Sequence, residues 1–330
     1  MSASLPAEPE SAQSLTVRFR RWLGWAVAAA ALGWIGWSLY VGIDEVQEAL
    51  GRFRWRWFGV AIGLTLVGNY LLRWLKWHWL LRRLGVRLPV GESALIFVAG
   101  LAMVISPGKA GELLKPWLVR ERTGAAMATT IPALVTERLT DGMAALILAA
   151  VSVSKFAGDS AAFVYGTIAL SFASVGVLMH EGLSLTILRA FGRMGPLRRF
   201  ADKLEELYRS MRLCLAPWPL LVTLVMSIVA WGAECWGYQL LWLGFGHDVS
   251  LDACTFLYAF ATAAGGLSPG GLGVADGMLA TLPVTLLGLP QGEVAATSML
   301  IRGATLWLGV LLGALALFAV DPLLRRPRAL

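Results

Sequence analysis

Long uncharged apolar stretches recur along this chain and constrain its fold more than any other feature. Five of them run over Trp22 to Val41, Ser160 to Met179, Leu213 to Ala233, Ala253 to Ala275 and Gly303 to Val320. A helix of about 20 apolar residues crosses the hydrocarbon core of a bilayer. Hydrophobic residues make up 57% of the chain, and its mean hydropathy is +0.67, well above a soluble domain. The sequence therefore predicts an all-α polytopic membrane protein.

The apolar segments divide the chain into a single membrane domain with two short tails. We predict six full crossings, at residues 22–41, 58–81, 124–154, 160–180, 215–243 and 294–320, and two further apolar hairpins at 92–119 and 252–288. Residues 1–21 form a polar N-terminal tail, 22–320 the membrane domain and 321–330 the C-terminal tail. The 20-residue run after the tail exceeds a usual signal-peptide core, so we interpret it as a retained span.

One short motif occurs twice, once in each apolar hairpin. The copies are Ser106-Pro107-Gly108-Lys109-Ala110-Gly111 and Ser268-Pro269-Gly270-Gly271-Leu272-Gly273. Each is followed by a carboxylate, Glu112 or Asp276, and then by an arginine, Arg138 or Arg302. Proline removes a helix hydrogen bond and glycine tolerates non-helical angles, so each copy should break a helix at membrane depth. The motif favours two re-entrant hairpins.

The basic residues sort to one side of this arrangement. With both termini in the cytoplasm, 19 of the 28 basic residues, among them Lys115, fall on the cytoplasmic side, as the positive-inside rule requires. The first hairpin then enters from the cytoplasm and the second from the opposite face. This predicts an inverted repeat, with halves 58–180 and 215–320 joined by the cytoplasmic amphipathic segment 181–214. Fully crossing helix pairs would give the same sides and stay an alternative.

Charged residues inside apolar segments are costly and usually pair or line a polar cavity. The candidate substrate-binding residues are those of the two motifs and the charges near them: Ser106, Pro107, Gly108, Lys109, Gly111, Glu112, Glu137, Arg138, Asp141, Ser268, Pro269, Gly270, Gly271, Gly273, Asp276, Arg302 and Arg73. A helix that starts after a break directs unpaired N–H groups toward the tip, which suits an anionic headgroup. The alternative is that these charges are structural salt bridges.

Several functional classes lack their motifs. The three cysteines, Cys214, Cys235 and Cys254, have no metal-ligand or disulfide spacing. No nucleophile–base pair, zinc-binding HExxH or nucleotide-binding motif is present. We therefore predict no catalytic residue, metal or cofactor. The net charge of +7 is explained by the membrane bias and anionic lipids without nucleic acid.

The motif set resembles a known family. Ser106-Pro107-Gly-x-x-Gly111-Glu112, then Glu137-Arg138-x-x-Asp141, then Pro269-Gly270-Gly271-Leu272-Gly273 are similar to the integral-membrane domain of lysylphosphatidylglycerol synthase/flippases, over roughly residues 20–320. The resemblance implies translocation of an amphipathic lipid, anionic, aminoacylated, polyprenyl-linked or hopanoid, across a bacterial inner membrane. The chain ends at Leu330 without the soluble aminoacyl-transfer domain, so synthase activity is not implied.

Two other functions stay open at this stage. The chain could be a non-transporting membrane partner of a separate lipid-modifying enzyme, or an enzyme acting on lipid headgroups. Transport by the purified protein alone would favour the flippase, and strict dependence on a second protein would favour the partner. Membrane lipids are the expected ligands in each case, and the sequence does not give the oligomeric state.

Overall fold

The computed structural model describes residues 43–106, 111–156 and 209–324, with the isolated positions 36, 165, 166, 169 and 173. The regular secondary structure of these residues is helical, with no strand among them. Apart from those positions, the predicted spans 22–41 and 160–180, the tail 1–21 and most of the segment 181–214 lie outside the described residues. The helices are α1 (Ile43–Arg52), α2 (Arg56–Arg83), α3 (Val90–Leu101), α4 (Leu114–Thr123), α5 (Met127–Phe156), α6 (Pro217–Phe245), α7 (Leu251–Ala264), α8 (Val274–Leu287) and α9 (Gln291–Leu324).

Three of the described helices are long and apolar enough to cross a bilayer. They are α2 with 28 residues, α6 with 29 and α9 with 34, at the positions of predicted crossings. Their outer faces carry exposed apolar side chains, among them Val67, Leu221, Val225, Leu315 and Phe318. Such a surface suits lipid and not water. Helix α5 has 30 residues and matches the predicted crossing 124–154, but it carries buried charges near its middle.

Two pairs of short helices occupy the predicted hairpins. Helix α3 continues into a 3-10 turn, Ala102–Ile105, before the first motif, and α4 follows the motif. Helix α7 is followed by the 3-10 turns Gly265–Leu267 and Pro269–Gly271 and then by α8. Helices α7 and α8 have 14 residues each. Such a helix is about 21 Å long, less than the hydrocarbon core of about 30 Å. These lengths favour re-entry, which stays a prediction.

The two halves of the chain pack into one another in a reciprocal way. Helix α5, the last described helix of the first half, packs against α7 of the second hairpin, and α9 packs against α3 of the first hairpin. Helices α2 and α6 also lie together, with Gly68 against the side chain of Ala233. Each half therefore covers the hairpin of the other. This exchange is the packing expected of two similar units related by a two-fold axis.

A π-helical stretch interrupts both α2 and α9, at Leu64–Leu71 and Gly303–Trp307. The two stretches touch, because the Tyr70 hydroxyl donates a hydrogen bond to the carbonyl of Thr305. Glycine permits this approach: a Cβ on Gly309 would collide with the Tyr70 hydroxyl. Short π-helical turns occur frequently at functional sites. This one places Tyr70 against Thr305, and both residues line the same cavity as Arg302, which directly precedes the second stretch.

The membrane orientation can be tested by cysteine labelling at exposed loop positions. We expect Arg87→Cys and Ala126→Cys, which flank the first hairpin, to react only from the cytoplasmic side. Asp248→Cys and Gln291→Cys, which flank the second, should react only from the opposite side. The native cysteines Cys214, Cys235 and Cys254 are buried and should give little background. Reaction of all four new cysteines from one side would exclude the inverted repeat.

Candidate functional site

A buried network of charged side chains joins α2, α4 and α5. Glu137 of α5 lies at its centre and contacts three cations. Its carboxylate is 2.6 Å from Lys115 Nζ, 3.2 Å from Arg73 Nη2 and 2.5 Å from Arg138 Nη2. Among the described residues, Glu137 is the ion-pair partner of Lys115. The side chain of Glu137 is 0% exposed, so these cations provide the charge compensation that water cannot.

Asp141 extends the network by one helical turn. Its carboxylate is 2.6 Å from Lys76 Nζ, 3.3 Å from Arg73 Nε and 3.5 Å from Arg138 Nη2. Glu137 and Asp141 are four residues apart, and Arg73 and Lys76 are three apart, so each pair shares one helix face. The facing surfaces of α2 and α5 are therefore charged in a complementary way. Four cations meet three carboxylates once Glu112, 3.2 Å from Arg138, is included.

The second half carries a smaller pair at its own broken tip. Arg302 of α9 lies 2.7 Å from Asp276 and donates a hydrogen bond of 2.6 Å to the carbonyl of Gly270. Asp276 also caps the start of α8, because it accepts a hydrogen bond from the Gly273 amide. Gly270, Gly271 and Gly273 all have positive φ, the conformation for which glycine is favoured. Arg302 therefore stabilises the glycine-rich part of this turn through the carbonyl of Gly270.

The residue that precedes the first motif touches the second motif inside the molecule. A Cβ on Gly270 would lie 3.1 Å from the Ile105 side chain and 3.5 Å from the Ile105 Cα, and Ile105 directly precedes the first motif. Within the first motif, the Ser106 hydroxyl accepts a hydrogen bond of 2.8 Å from the Gly111 amide. In the second, the Ser268 hydroxyl donates to the carbonyl of Gly265. The equivalent serines therefore close their turns differently. Pro107, Gly108 and Lys109 lie outside the described residues.

A cavity of about 360 Å³ lies where the halves meet. Its wall includes six of the residues selected from the sequence: Arg73, Arg138, Asp141, Gly270, Gly271 and Arg302. Other parts of the wall are apolar, from Leu101, Val104, Ala145 and Leu306. The side chain of Arg138 is 26% exposed while it remains paired with three carboxylates. The wall of the cavity is thus largely apolar, with arginines from both halves set into it.

The remaining selected residues that the structure describes do not line the cavity. Glu112 and Glu137 hold Arg138, Asp276 holds Arg302, and Ser106 with Gly111 closes the first turn. Ser268 and Gly273 form the second turn together with Pro269, whose side chain is not described. The pairing that the sequence offered as a structural alternative is therefore present. Arginines of the same network also reach the cavity.

Several residues of the site were missed by the sequence-based selection. Lys76 was not selected, although it is fully buried and pairs with Asp141. Lys115 was counted among the basic residues of the cytoplasmic side. Lys115 is not an exposed loop residue: it is buried, pairs with Glu137 and lies over the ring of Trp77. Its position three residues after Glu112, on one helical face, was the available signal. Glu234 of α6 and Tyr258 of α7 also line the cavity.

One pair of side chains in the network has the distance of a Ser–Lys catalytic pair. Lys76 Nζ lies 2.6 Å from the Ser227 hydroxyl, which donates to Asp141 at 2.9 Å. Both residues are fully buried and neither lines the cavity, so the hydroxyl cannot reach a substrate there. We interpret this pair as structural. In the described ranges, no group of three histidine, cysteine or acidic residues could hold a metal ion.

These features define a polytopic helical membrane protein. They are the long apolar helices, the two broken hairpins and the cavity with arginines in its wall. The family described as "Lysylphosphatidylglycerol synthase TM region" matches residues 21–313, and the chain belongs to that family. The family identification made from the motifs is therefore confirmed.

Two relatives from Methanothermobacter thermautotrophicus (strain Delta H) are similar over most of their length. Both are described as "UPF0104 membrane protein". One is 22% identical over 307 residues, covering 84% of this chain and 90% of the relative. The other is 25% identical over 306 residues, covering 84% and 87%. Their descriptions name the membrane and no substrate.

Proposed function

We propose that this protein translocates an amphipathic lipid with an anionic headgroup between the leaflets of the inner membrane, with both termini cytoplasmic. The observation that carries the proposal is the meeting of Arg73, Arg138 and Arg302, from both halves, in one cavity between apolar helices. A guanidinium group binds phosphate through two parallel hydrogen bonds. Within an apolar domain, such groups mark the path of a charged substrate.

The cavity suits a headgroup and not a whole lipid. A volume of about 360 Å³ is at the lower end of small-molecule pockets. The wall combines three arginines with apolar residues, and Leu101, Val104 and Leu306 offer an apolar surface to the first part of an acyl or polyprenyl chain. The buried indole N–H of Trp231, another wall residue, has no hydrogen-bond partner among the described residues and can donate to a headgroup oxygen. The rest of the chain would stay in the bilayer.

The charged network lowers the free-energy cost of burying arginines in an apolar domain. Arg138 pairs with Glu112, Glu137 and Asp141, and Arg302 pairs with Asp276. Both arginines therefore have carboxylate partners before a lipid binds. These arginines keep part of their hydrogen-bonding capacity. The phosphate of a lipid can therefore compete with the internal carboxylates for them. Movement of one half against the other around these tips would expose the site to each side in turn. Glycine backbone at the contact allows the two halves to lie close together there.

The family description names a lipid synthase region, which supports lipid as the substrate class. Within that class we propose that the arginines favour anionic, aminoacylated or polyprenyl-linked lipids that carry a phosphate over hopanoids. We also propose that the chain acts as a transporter and not as an enzyme, because the described Ser–Lys pair is closed off from the cavity. Re-entrant hairpins and an inverted repeat belong to this proposal.

The test is transport by the purified protein in liposomes of defined composition. A tail-labelled fluorescent phosphatidylglycerol is placed in both leaflets, and a membrane-impermeant reductant then reports how much reaches the outside. We expect nearly complete bleaching with the protein and bleaching of about one leaflet without it. Transport that appears only after another membrane protein is added would replace this proposal with the non-transporting partner.

Arg138 provides a substrate-selective prediction. Arg138→Gln should slow transfer of labelled phosphatidylglycerol roughly 10- to 100-fold, because a hydrogen bond to a charged group contributes about 1.5–3 kcal/mol. Arg138→Lys keeps the charge and should lose less. Transfer of a labelled neutral glycolipid, which has no phosphate, supplies the comparison, since loss of a phosphate-binding cation in an otherwise intact protein should change the preference between the two lipids. An unchanged preference in Arg138→Gln would remove Arg138 from the headgroup site.

A further inference from the structure

One carboxyl group in the cavity wall lacks the cationic partner that every carboxylate of the network has. Glu234 of α6 is 4% exposed, and its hydrogen-bond partner is the hydroxyl of Tyr258, which donates to Oε2 at 2.7 Å. Among the described residues, no lysine, arginine or histidine nitrogen lies within 4.0 Å of its carboxylate. By contrast, Glu112, Glu137, Asp141 and Asp276 each have at least one cation within that distance.

The surroundings of Glu234 are charged but engaged elsewhere. The titratable or charged groups that face it are Tyr70 and Arg73 of α2, Asp141 of α5, Tyr258 of α7 and Arg302 of α9. Arg73 is paired with Glu137 and Asp141, and Arg302 with Asp276. A buried carboxylate without a cation of its own is expensive to keep ionised. A proton is the simplest counter-ion, and the cavity supplies the route by which it could enter.

We propose that Glu234 is a proton-binding site that couples proton movement to lipid transport. This inference rests on the proposed function, because it names the ion that is transported together with the lipid. The charged side chains of the cavity wall are three arginines and two carboxyl groups, those of Asp141 and Glu234. Protonation of Glu234 removes one of the two negative charges. An anionic headgroup then enters a more positive cavity, so proton and lipid favour each other's binding.

The same coupling has an electrical consequence. A monoanionic lipid that crosses the membrane alone carries one negative charge against or along the membrane potential. A proton bound on Glu234 cancels that charge, so the loaded cavity changes sides without net charge movement. Tyr258 holds the carboxyl group in place in both states, because its hydroxyl can donate to either form. The proton and the headgroup would therefore travel in the same direction.

The transport experiment uses the full-length protein in liposomes with labelled phosphatidylglycerol and a membrane potential clamped by potassium and valinomycin. We expect an imposed pH gradient to accumulate the lipid in one leaflet, up to about tenfold per pH unit for one proton per lipid. Glu234→Gln imitates the protonated, neutral group, so it should equilibrate the lipid but no longer accumulate it. Glu48→Gln, in an exposed pair with Arg52 outside the site, serves as the matched control.

Each outcome separates this inference from the function on which it rests. Accumulation by Glu234→Gln equal to wild type overturns the proton site while leaving transport intact, and accumulation driven by a sodium gradient at equal pH assigns the site to sodium instead. An independent readout is the infrared C=O band of a protonated carboxyl group in the purified protein, which should titrate in wild type and be absent from Glu234→Gln. A band that titrates identically in both proteins contradicts the inference even where no lipid is transported.

Discussion

Glu137→Gln is expected to lower the free energy of unfolding by about 3–5 kcal/mol, the usual cost of leaving buried charges without their partner. Glu137 contacts Lys115, Arg73 and Arg138. Arg73 and Arg138 keep Asp141 as a partner, but Lys115 has Glu137 as its ion-pair partner in the described part of the chain. Glutamine keeps the size of the side chain and removes only its charge. The measurement is the unfolding midpoint of the detergent-purified protein.

Two further variants separate charge from packing. Glu137→Gln with Lys115→Met removes both members of the stranded pair, so the double variant should be more stable than Glu137→Gln alone. Non-additivity of this kind is the sign of a direct interaction. Glu48→Gln removes a partner of an exposed pair and should change stability by only about 0–1 kcal/mol. Equal midpoint shifts for Glu137→Gln and Glu48→Gln would contradict the buried network.

Gly270→Leu is expected to abolish lipid transport. Gly270 has a φ of +60°, which leucine rarely adopts, and a Cβ there would lie 3.1 Å from Ile105 and 3.3 Å from Leu306. The added side chain would push the second tip away from the first and disturb the hydrogen bond between Arg302 and the Gly270 carbonyl. A backbone strain of about 1–3 kcal/mol and the loss of tip contact should leave membrane insertion intact. The measurement is the liposome assay at matched protein incorporation.

Gly277→Leu is the matched control for this experiment. Gly277 lies seven residues further along, in α8, where it has no positive φ, and a Cβ there would meet nothing within 4 Å. We therefore expect near-normal transport from Gly277→Leu. Full transport by Gly270→Leu, with the protein correctly inserted, would show that close contact between the tips is not needed and would refute the shared cavity as the transport path.

The sequence by itself determined the class of the protein, the long helices and the family. Those properties depend on local sequence patterns. The length of an apolar segment determines whether a helix can span the membrane, and proline with glycine determines where a helix breaks, independently of the rest of the chain. The crossings 58–81, 215–243 and 294–320 were therefore predicted within a few residues of α2, α6 and α9. The same patterns selected Arg73, Arg138 and Arg302, because charge inside an apolar segment is conspicuous on its own.

Only the tertiary structure decided which charges belong together and which face the cavity. Lys115 appeared cytoplasmic because it lies near basic loop residues, yet the fold of the first hairpin turns it inward to Glu137. Glu234 gave no pairing signal, since its unpaired state depends on where α7 and α9 place Tyr258 and Arg302. The contact between Ile105 and Gly270 joins residues far apart in the chain. Such contacts arise from packing between the two halves, and no local pattern encodes them.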